Sequence, residues 1–186
     1  MNCDAFILDP SCGWMKKHNP VISLFERLQG TLSLADIGAA DGRICRAYEC
    51  LHPDAETLAV DVNWPVPISD IDTLTVTDGK PIPLSDNSYD IVTCLFTLNH
   101  SSNPWLLSRE CFRIAKKIVI FGEGLITNRP DTVQEWLTLI GGQPAWTLRY
   151  LRSVQGELMP GFICTYSPTG LDMAGAPSLE RTCDEV

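Results

Sequence analysis

The sequence has little positive charge: 14 Lys and Arg stand against 23 Asp and Glu in 186 residues, a formal net charge of -9. No global basic field exists to collect nucleic acid or an anionic membrane, so a nucleic-acid contact would need a basic partner. No apolar run approaches the roughly 20 residues that a membrane-spanning helix needs. The first residues, Met1-Asn2-Cys3-Asp4, lack the basic start and apolar run of a secretory signal. The expected location is therefore the cytoplasm. None of the 8 cysteines (Cys3, Cys12, Cys45, Cys50, Cys94, Cys111, Cys164, Cys183) forms a C-x-x-C pair. No metal site is expected, and the default is thiols in a reducing compartment, with Cys3 and Cys12 the pair best able to oxidise. Also missing are the G-x-G-x-x-G run of dinucleotide binders and the G-K-[ST] of a phosphate loop. What is present is a globular composition, 45% hydrophobic and 20% charged, in a chain long enough for one domain with a real core.

Strand and helix signals alternate along it. Asn19-Pro20 is a cap followed by proline at the first helical position, and Val21, Leu24, Phe25 and Leu28 recur at helical spacing up to Gly30. Leu32 to Ile37 reads as a short buried strand, and Ile44, Ala47, Tyr48 and Leu51 as the apolar face of the next helix. Buried strands are expected at Thr57 to Val62 and Tyr89 to Phe96, an alternating strand at Asp72 to Thr77 and a further strand at Lys117 to Phe121. Pro65 and Pro67 argue against a full helix between the first two of these. Helices are expected from Asn103-Pro104 through Ala115 and around Val133, Trp136, Leu137 and Ile140. Trp146 to Leu151 and Gly161 to Tyr166 have no helix between them, which predicts an antiparallel closing pair. The fold class is α/β: a doubly wound, mostly parallel sheet with helices on both faces and that antiparallel pair at its edge. Three regions follow: an N-terminal segment and cap helix at 1–30, a core domain at 31–168 and an aperiodic tail at 169–186.

The sharpest motif is Asp36-Ile37-Gly38-Ala39-Ala40-Asp41-Gly42, between a strand and a helix. Small residues there let backbone N–H groups approach a ligand closely. The acid two residues before Gly38 would repel a pyrophosphate but suits a ligand with a cationic group or hydroxyls. This run resembles the first motif of the class I, Rossmann-like S-adenosylmethionine-dependent methyltransferases, of the type 11 kind. There the pattern is acid-x-Gly-x-Gly-x-Gly, and here Ala40 replaces the middle glycine, as it can where no positive φ is required. Asp61 ends the second strand 25 residues after Asp36, where the family places the acid that takes the ribose hydroxyls. Asp78-Gly79 follows the third strand, near the family's adenine position. Ile82-Pro83-Leu84-Ser85-Asp86-Asn87-Ser88-Tyr89-Asp90-Ile91-Val92 resembles the family's run into the fourth strand, with Asp90 a structural residue at its start. Cys94 to His100 continues it, with Asn99 where the family often has histidine.

The resemblance implies S-adenosylmethionine as cofactor, held by Asp36, Gly38, Ala39, Ala40, Gly42, Asp61, Val62, Asp78, Gly79, Cys94 and Leu95. It implies methyl transfer to an acceptor that the sequence does not name. In-line displacement demands alignment more than a dyad, and a base only where the acceptor loses a proton. His100 and Glu123, which follow the fourth and fifth strands, are the candidate catalytic groups. Each has a plainer reading, as a helix-capping loop histidine and a solvated loop acid. His18, Trp14 and Trp105 are further candidates to wall the pocket, while His52 reads as a turn residue. Short insertions leave an open site, which fits a protein partner or a homodimer completing it. The alternative is a methyltransferase-like binding module without its own catalysis.

Overall fold

The computed structural model describes residues 20–30, 32–65, 67–124, 132–141, 144–152 and 158–167. Trp14, His18, Cys3, Cys12, Cys183 and the tail at 169–186 lie outside them.

Seven strands form one sheet: β1 (Leu34–Ile37), β2 (Thr57–Asp61), β3 (Asp72–Thr75), β4 (Tyr89–Leu95), β5 (Ala115–Gly124), β6 (Trp146–Arg152) and β7 (Leu158–Tyr166). Their order is β3-β2-β1-β4-β5-β7-β6. The first five pair in parallel, and β7 runs antiparallel to both β5 and β6. The expected antiparallel pair is thus present, but β7 inserts between β5 and β6. Strand β5 is longer than its apolar run predicts because α3 (Pro104–Ile114) passes directly into it at Ala115. β7 likewise begins at Leu158, upstream of Gly161.

Alternation along each strand sorts the core into two faces. Leu34, Ile91, Leu95, Ile118 and Ile120 pack with α1 (20–25) and α2 (Arg43–Leu51), through Val21, Phe25, Cys45 and Tyr48. Ala35, Ile37, Val60, Val92, Val119 and Phe121 pack with α3 and α4 (Val133–Ile140), through Cys111, Ile114, Trp136 and Ile140. Helix starts follow the capping rules read from sequence. Asn103 Oδ1 accepts from Leu106 N–H at 3.0 Å, and Thr132 and Glu135 form a capping box. His52 is more than a turn residue: its Nε2 donates to the Phe25 carbonyl at 3.0 Å, tying α2 to α1.

No helix bridges β2 and β3 among the described residues; Trp64, Ile68 and Ile71 of the connection cover the first core face instead. Asp90 locks β4 to β1: it accepts from Ser33 N–H at 3.1 Å and Ser33 Oγ at 3.2 Å, and pairs with Lys117 at 3.0 Å. Cys45, Cys94, Cys111 and Cys164 are buried thiols. Cys50 departs from the all-thiol expectation, being disulfide-bonded.

Candidate functional site

The chain leaves β1 toward β2 on one side and β4 toward β5 on the other, so the sheet's switch point lies between β1 and β4. A crevice opens there, beyond the carboxyl ends of the strands. Two cavities flank the turn after β1, of about 290 and 320 Å3. Gly38, Ala40 and Phe96 line both.

The first cavity is walled by Ile37, Val60, Val76, Ile82, Leu106 and Leu107, with Asp61, Asp78 and His100 as polar groups. Asp61 is heavily engaged. Its Oδ2 accepts from Ala40 N–H at 2.7 Å, and its Oδ1 from Val62 N–H at 2.7 Å and Asn63 N–H at 3.2 Å. A carboxylate offers roughly four acceptor positions, so about one is left for a ligand. Asp78 accepts from Ser101 Oγ at 2.8 Å and from Ser102 N–H at 2.9 Å. That Ser102 N–H, foremost, holds its carboxyl below the ordinary value.

The second cavity is lined by Asp36, Ala39, Asp41, Arg43 and Leu95 besides the shared residues. Asp36 is 3% exposed, on the face of β1 that otherwise packs against α1 and α2. Thr93, its register partner on β4, donates to its Oδ1 at 2.6 Å. Burial pushes the Asp36 carboxyl up to about 7; Thr93 opposes the rise, and Asp61 and Asp41 add to it. Asp41 is ion-paired with Arg43.

Backbone conformation at the turn corrects one expectation. Ala40 has φ 51, so the position does take the left-handed region that glycine would adopt freely. Gly38, at φ 79, is also required by packing: a Cβ there would overlap the Thr97 side chain, so what it spares is the loop after β4. Phe96 too is left-handed, at φ 56, which is strained for a bulky residue, and it lines both cavities.

The residues singled out in the sequence are thus distributed unequally. Asp36, Ala39 and Leu95 line the second cavity, Asp61, Val62, Asp78, Gly79 and His100 the first, and Gly38 and Ala40 both. Gly42, Cys94 and Glu123 line neither. Gly42 is the cap of α2, where a Cβ would stand 3.2 Å from Ile68. Cys94 is fully buried on the opposite face, its thiol hydrogen-bonded to the Cys111 thiol. Glu123 is no solvated loop acid: it is 0% exposed, accepting from Asn99 N–H at 3.4 Å. His100, on the 3-10 turn Leu98–His100, is exposed at the rim of the first cavity, so the two candidate catalytic groups do not meet there. Trp105 is 56% exposed beneath Arg109 and leaves the wall to Leu106 and Leu107. Thr93, Phe96, Ser101 and Ser102 were not legible as site residues. Only Thr93 carries a signal, as the polar member of an apolar strand.

Comparison with known proteins agrees with this geometry. A family model described as a methyltransferase domain matches residues 35–121. A search of curated proteins returns no match. Among solved structures, an S-adenosylmethionine-dependent methyltransferase from Aquifex aeolicus is 18% identical with TM-score 0.59, over 89% of this chain and 98% of that one. One from Mesorhizobium loti is 14% identical with TM-score 0.60, over 81% and 97%. A chain from the complex of the Haloferax volcanii methyltransferase activator Trm112 is 13% identical with TM-score 0.61, over 88% and 96%. The chain has the Rossmann-like methyltransferase fold, and its residues 35–121 match the methyltransferase domain model. The cofactor implied by this likeness is S-adenosylmethionine. The residues present fit it: an apolar cavity with Asp61 and Asp78 suits a nucleoside, and a neighbouring one with Asp36, Asp41 and Arg43 suits a charged amino-acid end.

Proposed function

We propose that the protein transfers a methyl group from S-adenosylmethionine to an acceptor held over the crevice between β1 and β4. The observation that carries this reading is the pair of unlike cavities sharing Gly38, Ala40 and Phe96. Asp61 would take a ribose hydroxyl through its remaining acceptor position, and the walls around Ile82, Leu106 and Leu107 would hold the base. Both signs of charge in the second cavity match a zwitterionic end. When bound, the cofactor supplies an electrophilic methyl on a cationic sulfur.

The chain's own contribution is alignment and exclusion of water. Phe96 supports alignment because its ring is fixed by a strained backbone and by its N–H, which donates to the Gly122 carbonyl at 2.6 Å. His100, which lines the first cavity and is exposed, would anchor an acceptor or take its proton. Glu123 acts behind it as a positioning residue for the 3-10 turn rather than as a base. A protein partner or a second copy of the chain would complete the open site around the acceptor, and the cytoplasm is the proposed location. No helix among the described residues is long and apolar enough to cross a membrane.

The test is calorimetric titration with S-adenosylmethionine and with NAD. Binding of the first and not the second is expected, and the reverse outcome overturns the reading.

A further inference from the structure

A carboxylate buried on an otherwise apolar sheet face needs a compensating partner or a proton. Among the described residues Asp36 has one hydroxyl partner, Thr93 Oγ1 at 2.6 Å, and no cation paired with it. From β2 it meets Asp61, and from the turn Asp41, both acids. From α2 it meets the Cys45 thiol, itself pushed up chiefly by burial and further by Asp36. The cations of that helix are already spent: Arg43 pairs with Asp41, and Arg46 with Asp70 at 2.8 Å. From β4 come Thr93 and, across the sheet, the Cys94 thiol. Residues 20–25 of α1 carry no charge. Yet Asp36 is part of the floor of the second cavity.

We propose that Asp36 senses ligand charge, holding a proton more readily in the free protein and giving it up when a ligand brings net positive charge into the second cavity. The sulfonium cofactor is then favoured over the demethylated product, whose sulfur is neutral. The step is a proton transfer from the Asp36 carboxyl to solvent, and no covalent bond is made. This inference rests on the methyltransferase reading above.

With burial raising the Asp36 carboxyl to about 7, binding of the cationic cofactor at pH 6 should release most of one proton. Its affinity should rise about fivefold between pH 6 and pH 7. Titration calorimetry in buffers of different ionisation enthalpy reads the proton directly. The ligands are S-adenosylmethionine, S-adenosylhomocysteine and methylthioadenosine, the last lacking the charged end. Release should be largest with the first, less than half as large with the second, and absent with the third. Asp36→Asn should abolish the release. Should that variant not fold, Thr93→Val removes the bond that favours the ionised form, and the pH of half-maximal release should move upward. Binding of S-adenosylmethionine with no proton release, or with release equal to that of methylthioadenosine, overturns the charge sensor and leaves the methyltransferase reading intact. Release that persists in Asp36→Asn, or an unmoved midpoint in Thr93→Val, overturns it as well. Failure of all three ligands to bind overturns the methyltransferase reading itself.

Discussion

Ala40 stands where the resembling motif has glycine, and its φ of 51 shows that the turn has kept the conformation while losing the residue that adopts it freely. Left-handed backbone costs an ordinary residue roughly 1–2 kcal/mol, and glycine's greater unfolded-state freedom offsets part of that. Ala40→Gly is therefore expected to stabilise the protein by about 0.5–1 kcal/mol in chemical denaturation, with cofactor affinity kept or improved. Asp61 carries more than a ligand contact, because three backbone N–H groups converge on it. Asp61→Ala should lower affinity for S-adenosylmethionine roughly ten- to a hundredfold, since one bond to a charged group is worth about 1.5–3 kcal/mol. It should also destabilise the fold by a comparable amount, because the turn after β1 loses its anchor on β2. Titration and denaturation of the same variant separate the two effects, and unchanged affinity would remove Asp61 from the ribose position. The acids were legible because carboxylates at strand ends are conspicuous in an apolar pattern. The sign of φ at Ala40 and Phe96 was not, since no side chain there announces it.

At the scale of elements, apolar periodicity located every described strand and helix of the core, and Pro65 with Pro67 correctly warned of a missing helix. What it could not show was pairing. The insertion of β7 between β5 and β6 depends on which edge a strand joins, and alternation is the same on either edge. The loop before β4 was legible as a motif but not as a clamp. Arg113 of α3 donates to the Leu84 carbonyl at 2.6 Å, the Ile82 carbonyl at 2.9 Å and Asp86 at 2.8 Å. It also grips Glu110 at 2.7 and 2.9 Å, while Glu110 accepts from Ile82 N–H at 2.8 Å. One guanidinium thereby fixes Ile82, a wall of the first cavity, onto α3. Lysine has the charge but not the planar fork. Arg113→Lys should destabilise the protein by about 1–3 kcal/mol and weaken nucleoside binding without altering the second cavity. Methylthioadenosine affinity beside urea denaturation measures both, and an unchanged affinity would detach the clamp from the site.

For the whole molecule, titration of the acids sets a stability profile unlike that of a protein whose carboxylates are all favourably paired. Asp70, bonded to Arg46, is held down to about 2. Glu110 is lowered too, foremost by its bond to Arg113, and Asp78 by the Ser102 N–H. Groups lowered on folding contribute stability that is full above their unfolded values and lost as pH falls through the folded ones, so the fold should weaken below about pH 4. Asp36 has the opposite sign. Its carboxyl rises from 3.8 to about 7, so the folded state binds the extra proton and stability declines as pH rises across that window. The decline levels off above it and amounts to roughly 4 kcal/mol. The net charge of -9 adds self-repulsion in the same direction. The ligand-free protein should therefore be most stable between about pH 4.5 and 5.5, below the usual near-neutral optimum. Urea denaturation across pH 4–8 checks this. Asp36→Asn, which has no proton to lose, should flatten the neutral limb, and saturating S-adenosylmethionine should flatten it in the wild type by supplying the missing cation. A wild-type profile that rises from pH 5 to 7 would show that Asp36 is ionised in the free fold.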